Sequence, residues 1–477
     1  MPRKASVLLI FILVLGSCAP GSKVSRATGL PKGTPAPDSG TPEVGVTTIP
    51  TGTPAPLQPL SPLAPLVPRA WPAPFTYDSP PVPSTPIPGP VPPIPLPPDT
   101  VNILLLGSDR RTGTDFRTDT ILLLSIQPSA GGAALISIPR DLYVYLPGYS
   151  MQRVNTAFNL GNEIGYPGGG RALLADTLLY NLGVTFDYYA RVEMSGFKQI
   201  VDELDGIDVR VSCPYTDWRL KSPDLNLDNP NNWQLFTVPT GVIHMNGDYA
   251  LWYARSRERS SDFDRSRRQQ EVLRAAYRQA LQLGVFSHIP ALYQTMIQSV
   301  TTDMSLTDIL KLAPLATKID PAHLKSRFIG RDQVTSWRTP GGAQVLLPKP
   351  VEVQQLLVEA LDLTHNVAPP TDQGRTVQVI NASGQSGWAE LAAERLTYAG
   401  FEASVDPSPA ATQPRSQLTD FGIGSGQARS EILSGLGLAS SAATLHSKPD
   451  SPFAFQLIVG QNYNPCFDPT RNQPAPN

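Results

Sequence analysis

Proline dominates the first quarter of this chain. Of 51 prolines in 477 residues, 24 fall between Pro31 and Thr100, mixed with Thr, Ser and Gly and very few charges. Such a segment has too little apolar surface to bury a core, and reads as an extended, partly polyproline-II linker. At about 3.1 Å per residue its contour approaches roughly 200 Å. The folded part is therefore expected to begin at Val101, with residues 19–100 as a disordered tether.

The residues before the tether indicate what it is tethered to. Arg3 and Lys4 precede the apolar run Val7–Leu15, and Leu15-Gly16-Ser17-Cys18 follows. The run is too short to span a bilayer and fits the core of a signal peptide. Small residues directly before a cysteine resemble a bacterial lipobox. Residues 1–18 are thus expected to be a lipoprotein signal peptide with Cys18 lipidated, or else an ordinary one cleaved near Ala19. Both mean export, and the lipobox puts the protein at the outer face of a bacterial cell membrane, held there by its N-terminal lipid. Net charge is −2 and the pI about 6.2, so no global basic field points to nucleic acid. Cys213 and Cys466 are the other cysteines; outside the cell they are free to pair, but the sequence does not show that they meet. The five histidines are scattered and no CxxC is present, which argues against structural zinc.

From Val101 the pattern is that of an α/β domain. VNILLLGSD, ILLLSI and ALISIP are apolar runs without alternation, as expected of strands covered on both faces. A glycine-rich loop at 168–170 leads into a helix over 171–182. It lacks the Gly-Lys-Ser/Thr ending of a phosphate loop. A strand at 188–193, a helix at 197–204 and a strand at 206–211 follow. Pro214–Thr240 reads as loop. Helical pieces are expected through Val300 and from Leu306 to Ala316, with Gln344–Leu347 and Val351–Leu361 closing the domain near residue 364. After a polar linker, residues 375–465 read as a second small α/β domain. It has a strand at 376–380, a helix at 388–399 stopped by Gly400, a helix at 428–436 and a strand at 455–459.

Chemistry concentrates in Leu251–Gln270, which holds six arginines (255, 257, 259, 265, 267 and 268) and no lysine. Guanidinium presents a planar fork that fits phosphate or carboxylate oxygens two at a time. If Trp252–Arg257 is extended, Arg255 and Arg257 share a side. If a helix starts after Asp262, Arg265, Arg268 and Gln269 share a face. Its apolar face (Val272, Leu273, Ala276, Tyr277, Ala280) should carry that helix to about Leu283. Asp109 ends the first strand and Asp119 begins the second, so neighbouring strands would bring two carboxylates to one end of a sheet. Close carboxylates repel unless a cation or a proton sits between them, and with no His or Cys nearby hard oxygen ligands favour Mg²⁺ over zinc. Arg117 and Arg140 lie at the same strand ends. A solvated basic surface and simple turn aspartates are the plainer alternatives.

These motifs together resemble the LytR-CpsA-Psr family: Gly107-Ser108-Asp109, Arg117-Thr118-Asp119-Thr120, Ser137-Ile138-Pro139-Arg140-Asp141, Arg153-Val154-Asn155, Ala254-Arg255-Ser256-Arg257 and Asp262-x-x-Arg265-x-x-Arg268-Gln269. Val379–Gly384 and Ala399-Gly400-Phe401 are similar to the LytR C-terminal domain. The resemblance implies a three-layer catalytic domain, a mixed sheet flanked by helices, followed by the small α/β domain. It implies transfer of a glycopolymer from a polyprenyl-diphosphate carrier to peptidoglycan. Asp109 and Asp119 would hold Mg²⁺ (Mn²⁺ being the alternative). Arg140, Arg255, Arg257 and Arg265 would grip the diphosphate with help from Gln269, Arg117, Arg153 and Arg268, and Asp262 would orient the cluster. Arg153 stands where the family often has lysine. Asp109 or Asp262 is the candidate base, Arg259 and Arg267 are expected in solvent, and an apolar slot is expected between the sheet and helices such as 171–182 and 264–283. A hydrolase acting on the same diphosphate, and a non-catalytic wall-binding or regulatory protein, are the competing readings.

Overall fold

The computed structural model describes residues 75–110, 116–283, 300–316, 319, 324–363, 373–468 and 473–474. The signal-peptide region, Cys18 and most of the proline block lie outside these residues.

The chain lays down β1 (Val101–Arg110), β2 (Phe116–Gln127) and β3 (Gly132–Ser137), then a small hairpin, β4 (Tyr143–Tyr145) and β5 (Met151–Arg153). Helices α1 (Ala157–Glu163) and α2 (Gly169–Leu182) lead to β6 (Tyr188–Glu193), α3 (Met194–Glu203) and β7 (Ile207–Val211). Next come β8 (Tyr215–Leu220), β9 (Trp233–Val238), β10 (Gly241–Met245), α4 (Gly247–Arg255) and the long α5 (Asp262–Gln282). The domain ends with β11 (Val300–Thr302), α6 (Leu306–Ala316), β12 (Leu324–Phe328), β13 (Val334–Arg338), β14 (Gln344–Pro348) and α7 (Pro350–Leu361).

Six strands form one mixed sheet in the order β11-β6-β1-β2-β3-β12. β1 runs antiparallel to β2 and parallel to β6. The uninterrupted apolar runs are explained by two cores. Ile103, Leu122, Leu124 and Leu135 face one, with α3, α4 and α5 packed over them. Their neighbours Leu104, Leu106, Leu123 and Ile136 face the other, covered by α1, α2 and α7. Both faces of the sheet are dry, which a half-exposed alternating strand could not satisfy.

Three expectations fail here. The tether does not run to Thr100: residues 75–100 lie extended along the α1–α2 layer. Tyr77 N donates to Gly148 O at 2.8 Å, Val91 N to Tyr180 O at 2.9 Å and Ile94 N to Gly183 O at 2.8 Å. Phe75, Ile94 and Leu96 pack on the second core. A polyproline-like chain has no internal hydrogen bonds to lose, so its free backbone groups pair with whatever surface it meets. Gly148 and Gly183 make room: a Cβ there would lie 2.0 Å from Phe75 O and 2.4 Å from Pro92 O. Second, Val300, where helix was expected, opens the edge strand Val300–Thr302, in keeping with its β-branched residues, while residues 284–299 of that expected helix lie outside the described residues. Third, Pro214–Thr240 is mostly the β8–β9 hairpin. Asn229 closes an Asx turn at its far end by accepting from Asn231 N.

The second domain is built from β15 (Thr376–Asn381), α8 (Trp388–Tyr398), β16 (Glu402–Asp406), β17 (Gln417–Asp420), α9 (Gly426–Leu436), β18 (Ala443–Leu445) and β19 (Phe455–Val459). Its sheet order is β16-β15-β19-β17-β18. Cys213 and Cys466 form a disulfide across the two domains. Beside it Glu394 of α8 meets Arg278 at 2.8 Å and Arg274 at 4.0 Å on α5, and Arg210 at 3.9 Å on β7. Among the described residues no helix is long and apolar enough to cross a membrane.

Candidate active site

A cavity of about 340 Å³ opens between the sheet and helices α3, α4 and α5. Its inner walls are apolar: Leu105, Leu122, Ala190 and Val192 from the sheet, Met194 and Phe197 from α3, Leu251 and Ala254 from α4, Val272 and Leu273 from α5. Polar groups gather at the strand ends and helix ends: Ser108, Asp119, Arg140, Glu193, Arg255, Arg257, Arg265 and Gln269. The expectation of a slot against α5 holds. Helix α2, also expected to wall it, packs in the core on the opposite face of the sheet.

Asp119 enters the cavity because of a β-bulge. Gly107 pairs with Thr120 but Ser108 pairs with Thr118, so Asp119 is the extra residue on β2. A bulge turns a side chain out of the pleat's alternation. Gly107 allows the close approach, since a Cβ there would lie 2.9 Å from Thr120 Cβ. Buried Thr118 secures the far side by donating from Oγ1 to Asn155 O at 3.1 Å. Asn155 N in turn donates to Arg140 O at 3.3 Å. Thus the Arg153-Val154-Asn155 motif ties the bulge to the loop bearing Arg140.

Arg140 Nη1 meets Asp119 Oδ1 at 2.7 Å while its Nε reaches Asp141 Oδ2 at 3.2 Å. Burial pulls the Arg140 pKa down, but the Asp119 and Asp141 carboxylates outweigh it and hold the guanidinium charge more firmly than usual. On the facing side Arg265, with a side chain only 7% exposed, pairs with Asp262 at 2.9 Å, and Arg257 reaches the same oxygen at 3.4 Å. The Arg265 pKa is lowered, chiefly by burial and further by the nearby Arg140 and Arg257, with Asp262 opposing. Guanidiniums close enough to disfavour each other's charge form a place where an anion is stabilised.

Local sequence explains how α4 and α5 present these groups. Asn246 caps α4 by accepting from Tyr249 N, so Trp252–Arg255 is helix, not the extended segment considered from sequence. Arg255 ends that helix and Arg257 follows in the turn. Ser261 and Asp264 form a reciprocal capping box that starts α5 at Asp262. Gln269 donates to Ala254 O at 3.3 Å, joining the two helices at the cavity wall.

Two residues expected on the ligand are elsewhere. Arg268 is 0% exposed; it stacks 3.9 Å from the Tyr215 ring centroid and donates to Tyr253 O and Ser256 O. Arg265 and Arg268 lie three apart on α5 but their side chains diverge, and Arg268 braces the end of α4 and the turn that carries Arg257. Arg153 lies outside the cavity wall, bound to Asp141 at 3.3 Å and to Gln344 O at 2.8 Å, one carboxylate removed from Arg140. Arg259 is exposed as expected, whereas Arg267 pairs with Glu271. The side chains of Asp109 and Arg117 lie outside the described residues; their backbones face each other in the β1–β2 register, at the same sheet end as Asp119. Glu193, Met194 and Phe197 were missed. The end of a strand parallel to β1 was the available signal for Glu193; nothing marked the other two.

The family profile described as LytR_cpsA_psr matches residues 93–352, and that described as LytR cell envelope-related transcriptional attenuator matches 375–463. A polyisoprenyl-teichoic acid–peptidoglycan teichoic acid transferase TagU from Oceanobacillus iheyensis is 33% identical over 226 residues, 46% of this chain and 62% of that protein. The regulatory protein MsrR of Staphylococcus aureus is 31% identical over 193 residues, 40% of this chain and 52% of its own. The chain thus spans less than two thirds of the length of these curated relatives. Among solved structures, Bacillus subtilis TagV is 23% identical with a TM-score of 0.44, covering 56% of this chain and 97% of its own. A structure of TagT bound to LI-WTA is 25% identical with a TM-score of 0.43, covering 56% and 91%. With the first profile spanning more than half of its residues, this chain belongs to the LytR_cpsA_psr family.

Proposed function

We propose that this protein is a cell-surface phosphotransferase that moves a glycopolymer from a polyprenyl-diphosphate carrier to peptidoglycan. The observation that carries the reading is the division of the cavity into an apolar interior and a mouth lined by Arg140, Arg255, Arg257 and Arg265 beside Asp119. An isoprenoid chain suits the interior and a diphosphate suits the mouth. The naming of the TagU relative as a teichoic acid–peptidoglycan transferase supports the same chemistry.

In this reading the acceptor sugar hydroxyl attacks the phosphorus that bears the glycopolymer. The anhydride P–O bond breaks, polyprenyl phosphate leaves with the electron pair, and the hydroxyl proton passes to a base. Catalysis of this kind is mostly positioning and charge stabilisation. Arg140 and Arg265 are held from opposite sides by carboxylates, which fixes their free N–H groups toward the charge that develops. Asp262 Oδ1 is already shared by Arg257 and Arg265, so it suits a positioning role better than that of base.

Mg²⁺ is the cation this reading calls for: Asp119 offers a hard carboxylate in the cavity, and the backbone of Asp109 lies at the same sheet end. Asp109 and Asp119 would hold the ion, with phosphate oxygens and water completing its shell. Bound there, it would neutralise charge on the diphosphate. Lipid anchoring at Cys18 completes the proposal at the outer face of the membrane.

The test incubates purified protein with Mg²⁺, a polyprenyl-diphosphate-linked saccharide and peptidoglycan, and follows the sugar. Label on peptidoglycan, lost with Asp119→Ala or a chelator, is expected. Label found only as free saccharide phosphate would replace transfer with hydrolysis.

A further inference from the structure

The β8–β9 hairpin was not anticipated, and one of its faces carries large apolar side chains that are exposed. Cross-strand register places Thr216 opposite Thr237, Trp218 opposite Leu235 and Leu220 opposite Trp233, all on one face. Trp218 is 44% and Leu235 48% exposed, and Leu227 in the connecting loop is 63% exposed. The Trp233 indole donates to Leu227 O at 2.9 Å and holds that loop in place. Exposed large apolar groups clustered on a rigid hairpin mark a docking surface more often than chance exposure does.

The opposite face of the hairpin is fastened to the active site. Phe236 packs edge-on against Tyr249 and Trp252 of α4, and the Trp252 indole donates to Trp218 O at 2.7 Å. Buried Asp217 accepts from Glu258 N at 3.1 Å, and Tyr215 OH accepts from Ser256 Oγ at 3.1 Å. Those contacts hold the turn that carries Arg257. The hairpin is therefore a rigid extension of the cavity's arginine-bearing wall.

We infer that this apolar face rests in the interfacial layer of the membrane and turns the cavity mouth toward the bilayer. The inference rests on reading the cavity as a site for a lipid-linked donor. The N-terminal tether supplies proximity but no orientation. Fifty-six residues separate Cys18 from Phe75, a length that would reach roughly 170 Å if extended at about 3.1 Å per residue. Phe75 joins the domain on the α1–α2 side, where it packs edge-on against Tyr166, across the sheet from α4 and the hairpin. A donor whose isoprenoid lies in the bilayer needs the α4 side brought down to it. Tryptophan with leucine suits the interface, where an apolar body and a polar edge are both satisfied. The connecting loop has one lysine, Lys221, and two aspartates, Asp224 and Asp228. The attachment is thus apolar and not driven by anionic lipid.

The test uses the full chain bound to phosphatidylcholine–phosphatidylglycerol vesicles that contain headgroup-level nitroxide lipid. A fluorophore is placed at Leu227→Cys or, in a second preparation, at Ser440→Cys in the C-terminal domain. We expect quenching of twofold or more at 227 and none at 440. Trp218→Ser with Leu235→Ser should abolish the quenching at 227 while vesicle co-flotation persists. Equal quenching at both sites, or quenching that survives the double substitution, overturns the inference. So does shielding of the 227 label from aqueous iodide without vesicles, which would assign the face to a second copy of the chain. No readout depends on turnover, so failure here and failure of the transferase reading are separate results.

Discussion

A single carboxylate oxygen, Asp262 Oδ1, lies 2.9 Å from Arg265 Nη1 and 3.4 Å from Arg257 Nη1. It links the first turn of α5 to the turn that follows α4, and so sets the spacing of two cavity guanidiniums. Replacing it leaves Arg265 buried beside two other cations. Asp262→Asn is expected to lower transfer by about 10–100-fold, the scale of a small misplacement of a positioning group. It should also lower stability by about 1–3 kcal/mol through the stranded charge. Single-turnover transfer and urea unfolding measure the two effects. A wild-type rate would remove Asp262 from the site.

Arg140 holds two carboxylates with different edges, Nη1 on Asp119 and Nε on Asp141. Lysine keeps the charge but has one nitrogen to place. Arg140→Lys is therefore expected to lose about 10²–10³-fold in transfer, comparable to losing one aimed donor in an oxyanion site. The circular dichroism spectrum should stay that of the wild type. Recovery to within a fewfold of wild type would show that charge alone suffices.

These two residues also show what sequence reading reaches. Arg140 and Asp119 were found because each stands at the end of an apolar run, where a strand must stop and its polar residue must emerge. The bulge that turns Asp119 into the cavity was not legible, because it depends on the pairing of Gly107 with a partner strand. Arg268 is placed on the ligand by helical spacing and by its position in the family motif. Spacing gives neighbours on one helix but not the ring of Tyr215, which comes from β8 and claims that guanidinium. The hairpin escaped because its strands flank a polar Asn- and Pro-containing loop that outweighed two short alternating runs. The packing of residues 75–100 on the domain escaped because proline-rich composition describes an isolated chain, and the contacts with Gly148 and Gly183 are tertiary.

The C-terminal domain is fixed to the first domain twice, by Cys213–Cys466 just after β7 and by Glu394 among Arg210 of β7 and Arg274 and Arg278 of α5. The disulfide spans a separation of 253 residues. The chain-entropy account gives about 5 kcal/mol for closing so long a loop. Reduction is expected to lower the melting temperature and raise hydrogen exchange in α8, with a larger effect in Glu394→Ala. If the two constraints together secure β7 and α5, reduced Glu394→Ala should also lose transfer activity although neither site touches the cavity. Unchanged exchange in α8 after reduction of Glu394→Ala would show that packing alone holds the domain.

Asp187 gives a pH-dependent expectation. Burial raises its pKa above the ordinary carboxylate value, against the lowering effects of the Asn102 N–H and Arg171, while Asp303 raises it further. The sign follows from linkage: a folded-state pKa above the unfolded value, about 3.9, means that the stabilising contribution belongs to the protonated form. That contribution is fully present below the unfolded value and is lost as pH rises through the folded one. Ionised Asp187 therefore burdens the fold at neutral pH, even though Oδ2 accepts from Asn102 N at 2.8 Å. Asn at this position keeps an acceptor and carries no charge. Asp187→Asn is expected to raise the melting temperature by about 1–2 °C at pH 7, and the gain should shrink as pH falls toward 4. Melting curves of both proteins across that range measure it. A gain independent of pH would assign the effect to something other than the buried charge.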